Sequence, residues 1–150
     1  MSPAEKLRLM ESFDVRQAIM SIVSSKDFLM EEVVNQVIDQ MEHGLNGDGK
    51  KIGKYDVKNS TYYARKKYEI NPLAGYGYVD LMYTHDFVRN LFAEINGDSI
   101  HIDSTDWKSE MLQDEYGENI MNLNKGSKTI LGELIAIKLI KKLSDEVGVR

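Results

Sequence analysis

The stretch Gly44 to Tyr55, GLNGDGKKIGKY, offers the chain's most suggestive residues for chemistry. Its Asn/Asp/Gly alternation is that of a calcium loop, and its glycines and lysines are those of a phosphate cradle. An EF-hand loop needs oxygen ligands at its first, third and fifth positions, glycine at the sixth and a bidentate glutamate at the twelfth. Counted from Asn46, Asp48 falls third, but Lys50 and Lys51 fall fifth and sixth and Val57 twelfth. Counted from Asp48, Lys50 falls third and Ile52 fifth. Lys50, Lys51 and Lys54 would repel a cation, so calcium is excluded. A phosphate loop needs Gly-Lys-Ser/Thr opening a helix after a strand. Gly49-Lys50-Lys51 instead follows a helical stretch and lacks the magnesium-binding hydroxyl. The stretch reads as a glycine-rich surface turn after a helix.

Other constellations are thinner. His43, His85 and His101 have no mutual metal spacing, and neither His-x-x-x-His nor His-Glu-x-x-His occurs. Thr84-His85-Asp86 has the composition of a dyad, but neighbours on an extended segment point to opposite faces. His101 reads as a strand-face residue, and Asp80, Asp103 and Asp106 as turn and cap residues. Ser104 lacks a Gly-x-Ser-x-Gly elbow. There is no cysteine, so disulfides and thiolate metal sites are excluded. The expectation is a protein that is not an enzyme, with no catalytic residue, cofactor or metal. An enzyme built on Asp80, His85 and Asp86 ranks last.

The elements that hold these residues follow from periodicity and punctuation. Ser2-Pro3-Ala4-Glu5 is a capping box, followed by helical spacing through Leu7, Met10, Val15, Ile19, Ile22 and Val23. Breaks are expected at Phe13-Asp14 or Ser24-Ser25. A further helical run carries Phe28, Leu29, Val33, Val37, Ile38 and Met41 and stops at Gly44. Between about Gly44 and Gly77 periodicity is lost, and the expectation is an extended, ordered arm. A short helix over Lys58 to Tyr68, capped by Asn59 or Ser60, is the alternative. Phe87 to Ile95 alternates as a strand, Asn96-Gly97 signals a hairpin, and Ser99 to Asp103 returns. Tyr78 to Tyr83 is a candidate third strand. Ser104, Thr105 or Asp106 caps a short helix from Trp107 to about Tyr116, ended by Gly117. A last helix from about Ser127 to Val147 has an apolar face so wide that it is either deeply packed or shared with a neighbouring chain.

The 150 residues therefore predict one α+β domain. It divides into a helical N-terminus (1–43), a Gly/Lys/Tyr-rich arm (44–77), a small antiparallel sheet (78–103) and a helical C-terminus (104–150). The N-terminus lacks the apolar core of a signal peptide, and no run approaches the ~18 apolar residues of a membrane span. A net charge of −5 suits a soluble intracellular protein.

Charge is unevenly placed. Lys50, Lys51, Lys54, Lys58, Arg65, Lys66 and Lys67 face the single acid Asp56, leaving the rest of the chain strongly acidic. The same region opens a tyrosine-rich stretch: Tyr55, Tyr62, Tyr63, Tyr68, Tyr76, Tyr78 and Tyr83. Tyrosines offer large contact area with few rotatable bonds and a polar tip. Lys50, Lys51, Lys54, Tyr55, Tyr62, Tyr63, Arg65, Lys66, Lys67 and Tyr68 are the candidate interface.

The order QMEHGLNGDGKKIGKY, STYYARKK, VDLMYTHDFVRNLFAEINGDSIHIDS and LQDEYGENIMNLN resembles a phage family. It is that of the virion-morphogenesis or tail-completion proteins, in the versions carried by phages of Bacteroides-like hosts. The matching positions are Gly44, Gly49, Gly53 and Tyr55; Thr61 and Lys66; Leu81, Thr84, Asp86 and Phe87; and Tyr116, Gly117, Ile120 and Leu123. The likeness spans roughly residues 15 to 125. One position departs: His85 stands where the family has glycine, which suits a tight backbone conformation. The resemblance implies a structural protein of the virion neck or tail, a head–tail connector or tail-completion component. It implies a homo-oligomeric ring around the DNA channel, assembled in the host cytoplasm beside other neck or tail proteins. The competing reading is a nucleic-acid-binding protein that grips phosphates and stacks bases through Lys50 to Lys67. Non-specific DNA contact by a neck protein would join the two.

Overall fold

The structure, a computed structural model, describes residues 1–55, 58, 61–82 and 85–148. It is α+β. Helix α1 (Pro3–Ser12) starts with the expected capping box. Ser2 Oγ accepts from Glu5 N at 3.2 Å, and Glu5 Oε2 accepts from Ser2 N at 2.6 Å. The Ser2 backbone N–H first, and then the Ser2 hydroxyl, hold the Glu5 carboxyl below its ordinary value. Asp14 then caps α2 (Val15–Val23) through Gln17 N. Both anticipated breaks occur: one at Phe13-Asp14, the other at Ser24-Ser25, where Ser25 Oγ accepts from Phe28 N. The chain resumes as a π-helical segment, Phe28–Val33, running into α3 (Val34–Glu42). The wider π turn changes the helical phase, so Val33 and Val34 are both buried along with Phe28, Leu29, Val37 and Met41.

Helix α4 (Thr61–Ile70) fills the second half of the arm, where a short helix was the alternative reading. Its proposed caps Asn59 and Ser60 lie outside the described residues, as do Asp56, Tyr83 and Thr84. A 3-10 turn, Pro72–Ala74, follows, with Asn71 Oδ1 accepting from Leu73 N. Among the described residues the Tyr78–Tyr83 stretch forms no third strand; a lone bridge joins Tyr78 to Lys54.

Strand β1 (Leu91–Asn96) pairs antiparallel with β2 (Ser99–Ser104), from Leu91 opposite Ser104 to Asn96 opposite Ser99. The hairpin forms in the expected region, but Asn96 pairs with Ser99, so the loop residues are Gly97 and Asp98, not Asn96 and Gly97, with Gly97 at φ +63°. Positive φ at Gly97 alone is the sign pattern of a II′ turn. The strand starts later than alternation suggested, because Asp86–Arg89 form a helical turn, α5, that carries Phe87 into the core. Ser104 Oγ donates to Phe87 O at 2.8 Å and ties that turn to the hairpin's end. Helices α6 (Ser109–Tyr116) and α7 (Lys125–Glu146) close the chain, with a 3-10 turn at Glu118–Met121 between them.

One buried cluster unites these pieces: Phe28, Val33, Val37 and Met41 from the helices, Phe87, Leu91 and Ala93 from the hairpin side, and Ile120, Met121 and Leu131 from the C-terminal part. Gln40 clamps it from within. Its Nε2 donates to Asn122 O and its Oε1 accepts from Asn124 N, both at 2.9 Å, fixing the entry to α7. Among the described residues, no helix is long and apolar enough to cross a membrane.

Candidate interaction surface

The arm begins where Gly44 takes φ +68° and ends α3. A Cβ on Gly44 would sit 2.8 Å from Val79 O, so the turn requires glycine twice over, for its dihedral and for its closeness to the next segment. The loop then folds on itself. Asn46 Oδ1 accepts from Asp48 N and Lys50 N, and Leu45 bridges to Lys51. Gly47 N donates to Asn119 O at 2.8 Å, and Asn119 Nδ2 donates to Asp48 Oδ2. A Cβ on Gly47 would fall 2.6 Å from Asn122 Cβ. The polar atoms that suggested a cation site are thus hydrogen-bonded within the fold. Among the described residues, no group of three or more His, Asp or Glu side chains is placed to hold a metal.

The strip that follows lies against the segment ahead of α5. Val79 N donates to Gly53 O, and Tyr55 N to Gly77 O. The arm is extended here, yet it is hydrogen-bonded to the body along its length.

The structure separates the ten candidate interface residues. Lys67 faces inward. Its side chain is 4% exposed and forms an ion pair with Asp80. Asp80 also accepts from Asn71 Nδ2 at 2.9 Å and from Met82 N at 3.0 Å, so the buried carboxylate has satisfied oxygens. Asp80, read as a turn residue, therefore anchors the whole α4 segment. Only the spacing of Lys67 among the apolar positions of α4 could have signalled this. Lys51 Nζ donates to His43 O and Ala74 O and sits 4.7 Å from the Tyr78 ring centroid. Lys54 lies 5.3 Å from the same ring. Lys50, Lys58 and Arg65 are at the surface, and Lys66 is half-buried.

Tyr62 is 75% exposed. Tyr63 stacks edge-on against Tyr55 at 5.1 Å, and Tyr68 against Tyr76 at 5.8 Å. Tyr55, Tyr63, Lys67 and Tyr116 help to line a hollow of about 240 Å³. Burial, then the neighbouring Tyr63, pushes the Tyr55 phenol well above its ordinary value. Burial, then Glu115, pushes Tyr116 up to about 12. Both phenols stay protonated at neutral pH and keep an O–H to donate.

Two flanking positions take left-handed backbone without being glycine: Leu81 and His85, both at φ +62°. His85 caps α5 in that conformation. His101 is a strand-face residue, its ring 6.4 Å edge-on to Phe92.

The chain also bares large apolar side chains outside the arm. Trp107, read as a helix start, precedes α6 and is 80% exposed. Helix α1 buries no residue and shows Leu7 and Met10. On α7, Leu131 is buried and Leu134, Ile135 and Leu139 pack on the core, while Ile130, Ile137 and Ile140 are bare. The wide apolar face is thus half covered. Comparison with protein-family models, with curated proteins and with solved structures finds no match to this chain.

Proposed function

We propose that this chain is a bacteriophage virion structural protein, a head–tail connector or tail-completion component that assembles in a ring at the neck or tail. The observation that carries the reading is the distribution of bare apolar and aromatic side chains. Tyr62, Trp107, Ile137 and Leu7 stand exposed on α4, ahead of α6, on α7 and on α1. A surface with several such patches suits a protein that contacts neighbours on more than one side, as ring members do. His85 supports the resemblance behind this reading. Where the family has glycine, this chain adopts φ +62°, the conformation glycine favours. The departure in sequence thus still falls at a position whose backbone suits glycine.

The nucleic-acid reading is weaker for two of its seven cations. Lys67 is neutralised by Asp80, and Lys51 is committed to two carbonyls. Because the backbone from Gly47 to Tyr55 is bonded to the body, exposed side chains probe assembly better than shortening the arm does.

The test is quantitative peptide mass spectrometry of purified phage particles. A fixed copy number of about six or twelve, as closed ring symmetry gives, is expected. Absence of the chain from mature particles would overturn the proposal.

A further inference from the structure

The bare half of α7 is ordered in a way that specifies its cover. Around the helix, Ile130, Glu133, Ile137, Ile140, Lys141 and Ser144 fall within one ~100° stripe at 100° per residue. That stripe is opposite the side carrying buried Leu131 and core-packed Ile135. Ile137 and Ile140 are each 65% exposed, and Glu133 and Lys141 are exposed beside them. Glu133 lies four residues before Ile137 and Lys141 four residues after it, each about 6 Å along the axis.

This placement is self-complementary in an antiparallel orientation. In an antiparallel pair with its two-fold axis at Ile137, residue 137+n of one helix faces residue 137−n of the other. Ile137 then meets Ile137 of the partner copy, and Glu133 meets Lys141 of the partner copy, twice by symmetry. A parallel pair in register would set Glu133 on Glu133 and Lys141 on Lys141, which repel. Helix α2 flanks the stripe on its Lys141 edge, where Ser21, Ile22 and Ser25 share a hollow with Lys138, Lys141 and Lys142, and leaves Ile130, Ile137 and Ile140 bare.

We propose that α7 is the seam of an antiparallel two-fold contact between two copies of this chain, centred on Ile137 and registered by reciprocal Glu133–Lys141 pairs. The contact buries the isoleucines, which supplies the affinity, while the charges choose the orientation. It is isologous, using one surface on both copies, whereas a head-to-tail ring uses two different surfaces. It therefore belongs to the soluble chain and stands whether or not the chain is found in virions.

Charge reversal of the full chain tests it, with association followed by sedimentation equilibrium and folding checked by circular dichroism. The wild type should dimerise in a concentration-dependent way. Glu133→Lys and Lys141→Glu should each weaken dimerisation about tenfold or more, because each sets like charges together at both symmetric contacts. The double variant Glu133→Lys/Lys141→Glu should restore affinity to within about threefold of wild type. A wild type that stays monomeric up to high micromolar concentration would overturn the proposal. So would dimers indifferent to the single reversals, or a double variant as weak as the singles.

Discussion

The arm from Gly44 to Gly77 and the outer stripe of α7 have opposite compositions and opposite fates. The arm is rich in glycine, lysine and tyrosine, the makeup of a loose surface loop, yet it is tied to the body by Gly47–Asn119, Val79–Gly53 and the buried Lys67–Asp80 pair. The α7 stripe is rich in isoleucine, the makeup of a core, yet it faces outward. Composition reports what a segment can bury, and the partner segment decides whether it does. Glycine brings backbones close enough for hydrogen bonds to replace apolar burial. A helix with apolar residues nearly all round cannot press every side against one small core.

Substitutions sharpen the contrast. The largest effect is expected at Lys67→Met. Removing one member of a buried ion pair leaves Asp80 charged and uncompensated, at about 3–5 kcal/mol. Chemical denaturation should show it, and Lys67→Met/Asp80→Leu should recover part of the loss. Full stability in the single variant would mean that Lys67 is not held inside. Gly47→Ala comes next. The added Cβ would crowd Asn122 at 2.6 Å and force the loop off Asn119, costing about 1–3 kcal/mol, read as a lowered midpoint of urea unfolding. An unchanged midpoint would show the loop to be loosely attached.

His85→Gly should stabilise by up to about 1 kcal/mol, since relief of the left-handed strain is partly offset by a more flexible unfolded chain. A loss of stability instead would mean that the imidazole makes an essential contact. The smallest effect belongs to the other region. Ile137→Gln should change the monomer's stability by less than about 0.5 kcal/mol, because little of that side chain is covered within one copy. A thermal melt at low protein concentration measures this. A large drop there would place Ile137 in the core and erase the distinction between the two regions.

The helix starts and stops were legible because they are local. Ser2 with Glu5, Asp14, Gly44 and Gly97 act on their own backbone within a few residues, and each acts as its type predicts. The shape of the arm was only half legible. Glycine spacing marked its turns, but its attachment depends on Asn119 and Asn122, more than seventy residues away. Phe87 misled for a local reason. Its alternation with Leu91 and Ala93 fits a strand, yet the left-handed turn at His85 rotates it into α5.

The sequence by itself determined the α+β order, the hairpin and the helix ends marked by Ser2, Asp14 and Gly44. All of these rest on neighbours within a few positions. The tertiary structure alone decided which of seven arm cations became a core residue, because only folding brings Lys67 to Asp80. It also decided which half of α7 was left bare. A 3.6-residue period says which side chains share a face, and only the packed neighbours say which face meets water.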